Sequence, residues 1–128
     1  MNRENISSGA IWEDEVGYSR AVKIGNTIEI SGTVATDGNE VKHLGDAYQQ
    51  TTYILNKIKT TLESVGASLE NVIRTRMYVL NIDEWEKVGK AHGEYFKNIK
   101  PATTMIEVSR LIGPDYLVEI EASAVLLD

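Results

Sequence analysis

Two short stretches carry the side chains best placed to do chemistry: IKPATTMIEV at residues 99–108 and VEIEASAV at residues 118–125. Both alternate with the period of a half-buried strand. In the second stretch Val118, Ile120, Ala122 and Ala124 form an apolar row suited to packing under helices, while Glu119, Glu121 and Ser123 project to the other side. After Pro101 the first stretch divides into Ala102, Thr104, Ile106 and Val108 on one side and Thr103, Met105 and Glu107 on the other. The apolar Ile106 and Val108 are expected under the helices, which would put Thr103, Met105 and Glu107 beside the carboxylates. A third stretch, TIEISGT, adds Glu29, Ser31 and Thr33 to the same polar face.

A sheet face of this composition is either plainly solvated or hidden against another subunit. Met105, with Trp12 and Tyr18 in the N-terminal segment, favours partial burial. Partial desolvation raises a carboxyl pKa toward the range useful for proton transfer, so the glutamates here become candidate acids or bases. Other chemistry is faint. His43 falls in a loop and His92 on an apolar helix stripe, with no zinc-ligand spacing between them, and His92 reads as a satisfied core histidine. No Gly-rich phosphate loop or nucleophile elbow is present, and Ser31 has no evident base. The absence of cysteine removes thiolate metal sites, thiol nucleophiles and a disulfide framework.

The elements that must position these residues are legible from pattern. YSRAVKI and TIEISGT flank Gly25-Asn26 as a tight hairpin, after a short extended segment near Ile6 to Ile11. VATDGNEVKHL reads as loop. A helix follows with Asp46 as N-cap, Gln49 in the reciprocal position and Gly66 at its end; its apolar stripe is Ala47, Thr51, Ile54, Leu55, Ile58, Leu62 and Val65. NVIRTRMYVL is a strand. A second helix is expected from Asn81, with Glu84 as capping partner, to about Asn98, its inner stripe being Trp85, Val88, His92, Tyr95 and Phe96. The order β-β-β-α-β-α-β-β contains two strand-helix-strand crossovers, which by their common handedness place both helices on one face of the sheet. The other face must meet water or another copy.

The 128 residues fit one α+β domain spanning 1–128, with a core large enough to need no disulfide or metal. A net charge of −6 and a pI near 4.9, without a basic stripe beyond Arg74 and Arg76, argue against nucleic acid; those two arginines are expected to meet carboxylates on the strand face. No apolar run has the length of a membrane span and the N-terminal residues contain no secretory leader, so no membrane partner and a cytoplasmic location are expected.

Taken together, GYSRAVKIGNTIEISGT, GDAYQQTTYILNKIKTTLESVGASLENVIRTRMYV, PATTMIEVSRL and VEIEASAV resemble the RidA/YjgF family of reactive-intermediate deaminases, in order and across nearly the whole chain. The resemblance implies a chorismate-mutase-like fold, a six-stranded mixed sheet with two helices packed on one face. It implies a homotrimer with a small-molecule cleft between subunits. It further implies hydrolysis of imines or enamines to a keto product and ammonia, with no metal and no organic cofactor. Matched to the family's motifs, Glu121 is the glutamate that handles water, Tyr18, Ser31 and Gly32 line the cleft, and Gly89, Thr103 and Met105 occupy further cleft positions.

Three of those positions depart from the family pattern. Deaminating members carry an arginine where this chain has Thr103, an asparagine where it has Gly89, and a small residue where it has Met105. Losing one partner of a buried charge-assisted pair costs about 2–5 kcal/mol, or roughly thirty- to several-thousand-fold in affinity. A threonine hydroxyl offers one neutral hydrogen bond and cannot neutralise an anion. Simple 2-imino acids are therefore poor substrates in this reading. Either a substrate lacking that carboxylate is used, or Arg20, Arg74 or Arg76 replaces the missing cation. The rival functions are a non-catalytic small-molecule-binding or sensor trimer on the same scaffold and, less favoured by the acidic pI, a ribonuclease or translation inhibitor.

Overall fold

The computed structural model describes residues 2–127. Six strands form one sheet: β1 (Arg3–Ile6), β2 (Ala21–Ile24), β3 (Thr27–Thr33), β6 (Val72–Val79), β7 (Ala102–Glu107) and β8 (Val118–Val125). Their spatial order is β1-β2-β3-β8-β6-β7, while β4 (Thr36–Asp37) and β5 (Glu40–Val41) make a separate short hairpin in the segment expected to be loop. Neighbouring strands are antiparallel except β6 and β7, which run parallel. A parallel pair needs a crossover. Helix α3 (Trp85–Phe96) supplies it, and α2 (Ala47–Ser64) links β3 to β6 across β8 in the same manner.

Both helices cover the same side of the sheet, as expected. Ile54, Leu55, Ile58 and Leu62 of α2 and Val88 and Phe96 of α3 bury against Ile28, Ile30, Val118, Ile120, Ala122 and Ala124. The small alanines of β8 let α2 approach closely, and each fully buried leucine or isoleucine contributes about 1.5–3 kcal/mol. Every residue of the expected α2 stripe is buried. Asp46 accepts the Gln49 backbone N–H at 2.9 Å, and Gly66, at φ 81°, ends the helix in the left-handed conformation. The fully buried Gln50 ties the loop before β8 to α2: it donates to Asp115 O at 3.0 Å and accepts from Leu117 N at 2.9 Å.

Besides the β4–β5 hairpin, the structure corrects the sequence reading at four places. Residues Ile11–Val16 form a short helix, α1, closed by Gly17 at φ 88°, where only an extended segment reaching Ile11 was expected. At the start of the second crossover helix the Asn81 side chain accepts Asp83 N at 3.0 Å and its backbone carbonyl accepts Glu84 N at 3.0 Å, so a 3₁₀ turn (Ile82–Glu84) precedes α3 in place of the expected reciprocal cap. Trp85 is consequently exposed, not part of the inner stripe.

The third and fourth corrections change the site. Ile30 pairs with Ala122 but Thr33 pairs with Ile120, so β3 carries an extra residue at Ser31–Gly32. This bulge turns Thr33 under the helices, where it is 1% exposed, off the polar face. On β7 the parallel register sets Thr103 beside the buried Thr75 and Met105 beside the buried Met77. Thr103, Met105 and Glu107 therefore lie on the helix side, and Thr104 and Ile106 on the bare side with Arg76 and Tyr78, the reverse of the expectation. β7 is an edge strand whose apolar pattern is mixed, so register with β6 decided its facing.

Candidate functional site

On the bare face β8 and β6 bring charged and phenolic groups together through antiparallel pairing of Arg76 with Glu121 and Tyr78 with Glu119. The Glu121 carboxylate accepts the Tyr78 hydroxyl proton through Oε1, while Oε2 lies 3.7 Å from Arg76 Nη1. Its side chain is 35% exposed, so it remains open to a small molecule. The carboxylate beside it holds the Tyr78 phenol above its ordinary pKa, with partial burial adding to the effect. Further along the face Ser123 donates to Glu29 at 2.5 Å, and Arg74 donates to Thr104 at 2.6 Å. Arg76 thus meets a carboxylate on the strand face, as expected, whereas Arg74 meets the Thr104 hydroxyl instead.

The β3 bulge builds the adjoining part of the site. Ser31 donates through Oγ to Ser19 O at 2.7 Å, and Arg20 Nη2 donates to Gly32 O at 2.5 Å, so the segment after Tyr18 is fastened to the bulge. Tyr18 itself follows the Gly17 cap and is exposed. A Cβ on Gly32 would sit 2.1 Å from Glu119 Oε2, which means that the Glu119 carboxylate occupies the space a side chain would fill. Glu119 also lines a recess of about 550 Å³ with Arg110, Leu111, Ile112 and Gly113. Burial pushes its carboxyl pKa up, against the attraction of Arg20 and with a smaller push from Glu121. The carboxylate shifted by desolvation is therefore Glu119, a residue that sequence reasoning placed on this face but did not assign to the site.

The helix side of the sheet edge holds a second cluster. Thr103 Oγ1 lies 2.6 Å from Thr75 Oγ1, which lies 2.9 Å from His92 Nε2 on α3. His92 is 9% exposed, packs against the Phe96 ring at 4.6 Å between centroids, and has its pKa lowered by burial. Thr103 at the other end of this chain of hydroxyls is exposed. Gly89, one turn before Gly93 on α3, is half-buried and has only Trp85 Cε3, at 3.8 Å, near the place of a side chain. Met105 is half-buried against the core. Gly89, Thr103 and Met105 thus occupy the α3–β7 edge.

The residues expected in the site accordingly fall into two groups on opposite faces of the sheet. Tyr18, Ser31, Gly32 and Glu121 belong to the bare face and the bulge; Gly89, Thr103 and Met105 belong to the helix-side edge. Within one chain none of Arg20, Arg74 and Arg76 lies beside Thr103: the last two are on the other face and Arg20 is held at the bulge. Tyr78 and Thr75 were missed by the sequence reading. Tyr78 shares the alternation of Arg74 and Arg76 in RTRMYV and could have been found by extending that row. Thr75 sits among apolar inner positions of β6, and a buried hydroxyl calls for a partner. Among the described residues no group of three or more His, Cys, Asp and Glu could hold a metal ion, and no helix is long and apolar enough to cross a membrane.

Comparison with known proteins places this architecture. The family model described as endoribonuclease L-PSP matches residues 11–126. A RutC family protein of Pyrococcus horikoshii is 42% identical over 110 residues, covering 84% of this chain and 85% of the relative. The 3-aminoacrylate deaminase RutC of Acinetobacter baylyi is 33% identical over 108 residues, with 84% and 85% covered. Among solved structures, a YjgF family member from Mycobacterium tuberculosis superposes with a TM-score of 0.89 at 42% identity, covering 98% of this chain and all of the other. The Escherichia coli YjgF gene product superposes with a TM-score of 0.83 at 26% identity, covering 95% and 98%. Fold, matched span and identity agree with the resemblance read from the sequence, and the chain belongs to the endoribonuclease L-PSP family, that is, the YjgF/RidA family.

Proposed function

We propose that this chain is a deaminase of the RidA type that hydrolyses a small imine or enamine and releases ammonia, working as a homotrimer with its clefts between subunits. The observation that carries the reading is the Glu121 carboxylate, held by Tyr78 and faced by Arg76 yet open to a small molecule. The deaminase relative from Acinetobacter baylyi supports it at the level of reaction class.

Hydrolysis of a C=N bond requires water to add to carbon while nitrogen gains a proton. Glu121 takes a proton from the attacking water and passes it to nitrogen, giving a carbinolamine. It then takes the carbinolamine hydroxyl proton as the C–N bond breaks and passes it to the departing amine, so that both protons of water end on ammonia and the carboxylate is restored. Tyr78 fixes one carboxylate oxygen and leaves the other to the water. The two groups on opposite faces explain why self-association is part of the proposal. A cleft that contains both Glu121 and Thr103 needs the bare face of one copy against the α3–β7 edge of another, with Tyr18, Ser31 and Gly32 lining it. Since Thr103 supplies no cation, the substrate is not a simple 2-imino acid bound by its carboxylate at this position.

Glu121→Gln is expected to abolish turnover on a panel of imines with and without carboxylates while the particle mass stays that of a trimer. Absence of turnover above background by the unsubstituted protein across that panel would overturn the enzymatic reading. The second reading, a binding or sensor trimer, is favoured by one feature, the replacement of a substrate-gripping cation by Thr103 with Gly89 across the edge. In that case a metabolite raises the melting temperature of the protein and is recovered chemically unchanged.

A further inference from the structure

The hydrogen-bonded row Thr103–Thr75–His92 crosses from an exposed edge to the core and has no part in the chemistry assigned to Glu121. We propose that the Thr103 hydroxyl is the group that selects the substrate at the α3–β7 edge, that Thr75 and His92 orient it, and that it selects an uncharged carboxamide or carbonyl. The inference rests on the proposed cleft and names the class of substrate it takes.

The geometry leaves little freedom. Thr75 is fully buried between the other two, with Oγ1 at 2.6 Å from Thr103 and 2.9 Å from His92 Nε2. A hydroxyl has one proton, so Thr75 donates to one neighbour and accepts from the other. If His92 Nε2 accepts, Thr75 donates inward and accepts from Thr103, whose remaining lone pair faces outward for a ligand N–H. If Nε2 carries the proton, the row reverses and Thr103 presents O–H to a ligand oxygen. In both cases the outer hydroxyl is held in one sense and does not rotate freely, which lowers the entropy cost of accepting a matching partner. A carboxamide carries both an N–H and a C=O and suits either sense; a carboxylate suits only one and brings a charge.

Within one chain nothing at this edge balances such a charge: Arg20 is engaged at the bulge, and burial lowers the His92 pKa, favouring the neutral imidazole. The Arg76 that a second copy would bring to the cleft is already faced by its own Glu121, and its Arg74 donates to Thr104. Gly89, one turn before His92 on α3, adds no side chain to this edge, and only Trp85 approaches the place where one would be. The row also explains why a histidine with no metal or catalytic spacing sits on the apolar stripe of α3: it ends the hydroxyl chain inside the core.

The experiment uses pyruvamide and pyruvate as probes, two near-isosteric product-like ketones that differ in charge, titrated into isotopically labelled full-length protein with amide shifts as the readout. The unsubstituted protein is expected to bind pyruvamide at least about threefold more tightly than pyruvate, with shifts at Thr103 and on α3. Thr103→Val and Thr75→Val should each weaken pyruvamide by about three- to tenfold, the range of one neutral hydrogen bond. The double substitution should add nothing beyond either single one. Thr75→Ser and His92→Gln, which restore a hydroxyl and an amide near the original atoms, should recover most of the loss; a purely structural role for Thr75 would not link ligand preference to that hydroxyl. Thr103 is exposed, so its variant reports even if Thr75→Val folds poorly. Pyruvate binding as tightly as pyruvamide overturns the proposal, as does a pyruvamide preference that survives both valine substitutions. Absence of binding by both probes overturns it as well, and if imine turnover is then still lost in Glu121→Gln, the proposed activity stands without this selectivity.

Discussion

Replacing Gly32 by alanine tests whether the β3 bulge is built around Glu119. The new Cβ would lie 2.1 Å from Glu119 Oε2, so that oxygen must retreat by about 1.3 Å to reach the 3.4 Å of an ordinary contact. Gly32 does not have a left-handed φ, so its backbone accepts alanine without strain. The obstacle is the end of a flexible side chain. Displacing it into a less favoured rotamer costs about 0.5–1.5 kcal/mol, and the smaller entropy of the unfolded chain offsets about 0.4–1 kcal/mol. The net change in stability near neutral pH is therefore within about 1 kcal/mol, which for a chain of this length is a shift of roughly 4 °C in Tm. The larger effect falls on titration. Glu119 is raised by burial, and a carboxylate pushed outward loses that burial. A group whose folded pKa is raised contributes stability that is present below its ordinary value of 4.5 and is lost as pH rises through the folded value. In Gly32→Ala this loss shrinks, so the variant gains on the unsubstituted protein as pH rises from 4 to about 7. Urea unfolding across that range, together with carboxyl-carbon NMR of Glu119, measures both. A loss of more than about 3 kcal/mol at every pH would exceed the usual effect of a point substitution and refute the rotamer argument. An unchanged Glu119 titration would refute the claim that Gly32 makes room for its burial.

Three further outcomes are expected. Tyr78→Phe removes the hydroxyl that orients Glu121 and should lower imine turnover about tenfold, with stability changed by about 1 kcal/mol or less; equal kcat and KM for the variant would separate Tyr78 from the chemistry. His92 is held below its ordinary value of 6.5 by burial, so the unfolded chain takes up its proton first and stability falls as pH drops below 6.5. The stability difference between the protein and His92→Gln should accordingly narrow between pH 7 and 5 in denaturant titrations. Ile106 is 46% exposed on the bare face. Ile106→Glu should break the proposed trimer into smaller particles on sedimentation without loss of helical circular dichroism, whereas a monomeric unsubstituted protein would remove the premise.

The parts of this fold that one sequence discloses are those fixed by local chemistry. The α2 boundaries followed from Asp46 and Gly66, and its buried face from seven residues at helical spacing. On β8 the contrast between Val118, Ile120, Ala122, Ala124 and the intervening polar residues is complete, so the facing of Glu121 was read correctly. On β7 the same rule failed. Thr103, Met105 and Glu107 differ too little in polarity from Thr104, Ile106 and Val108 for alternation to choose a side, and a pairing register with β6 made the choice. Thr33 failed for a different reason, an inserted residue that reverses the sense of alternation after it. The signal was present in the sequence as a glycine inside a strand, the ordinary mark of a bulge.

The bulge has a consequence for how two carboxylates on one strand can differ. Glu119 and Glu121 are two residues apart and face the same way, so the sequence alone gives them equivalent roles. The extra residue in β3 puts Gly32 under Glu119, and the missing side chain lets that carboxyl sink into the sheet surface, where burial favours its neutral form. Glu121, one pair further along β8, meets Tyr78 and Arg76 instead. Neighbouring titratable groups whose surroundings differ in this way are the usual basis for dividing acid and base roles. In the proposed hydrolysis Glu121 is placed to accept a proton from water, and Glu119 is placed as the group that can hold one in reserve beside it. Replacing Glu119 by glutamine keeps the hydrogen-bonding shape of a protonated carboxyl. If Glu119 works in its neutral form, Glu119→Gln should retain turnover within about threefold and flatten the alkaline side of the pH profile. A loss as complete as that of Glu121→Gln would show that Glu119 must ionise, and the division of roles would then be wrong.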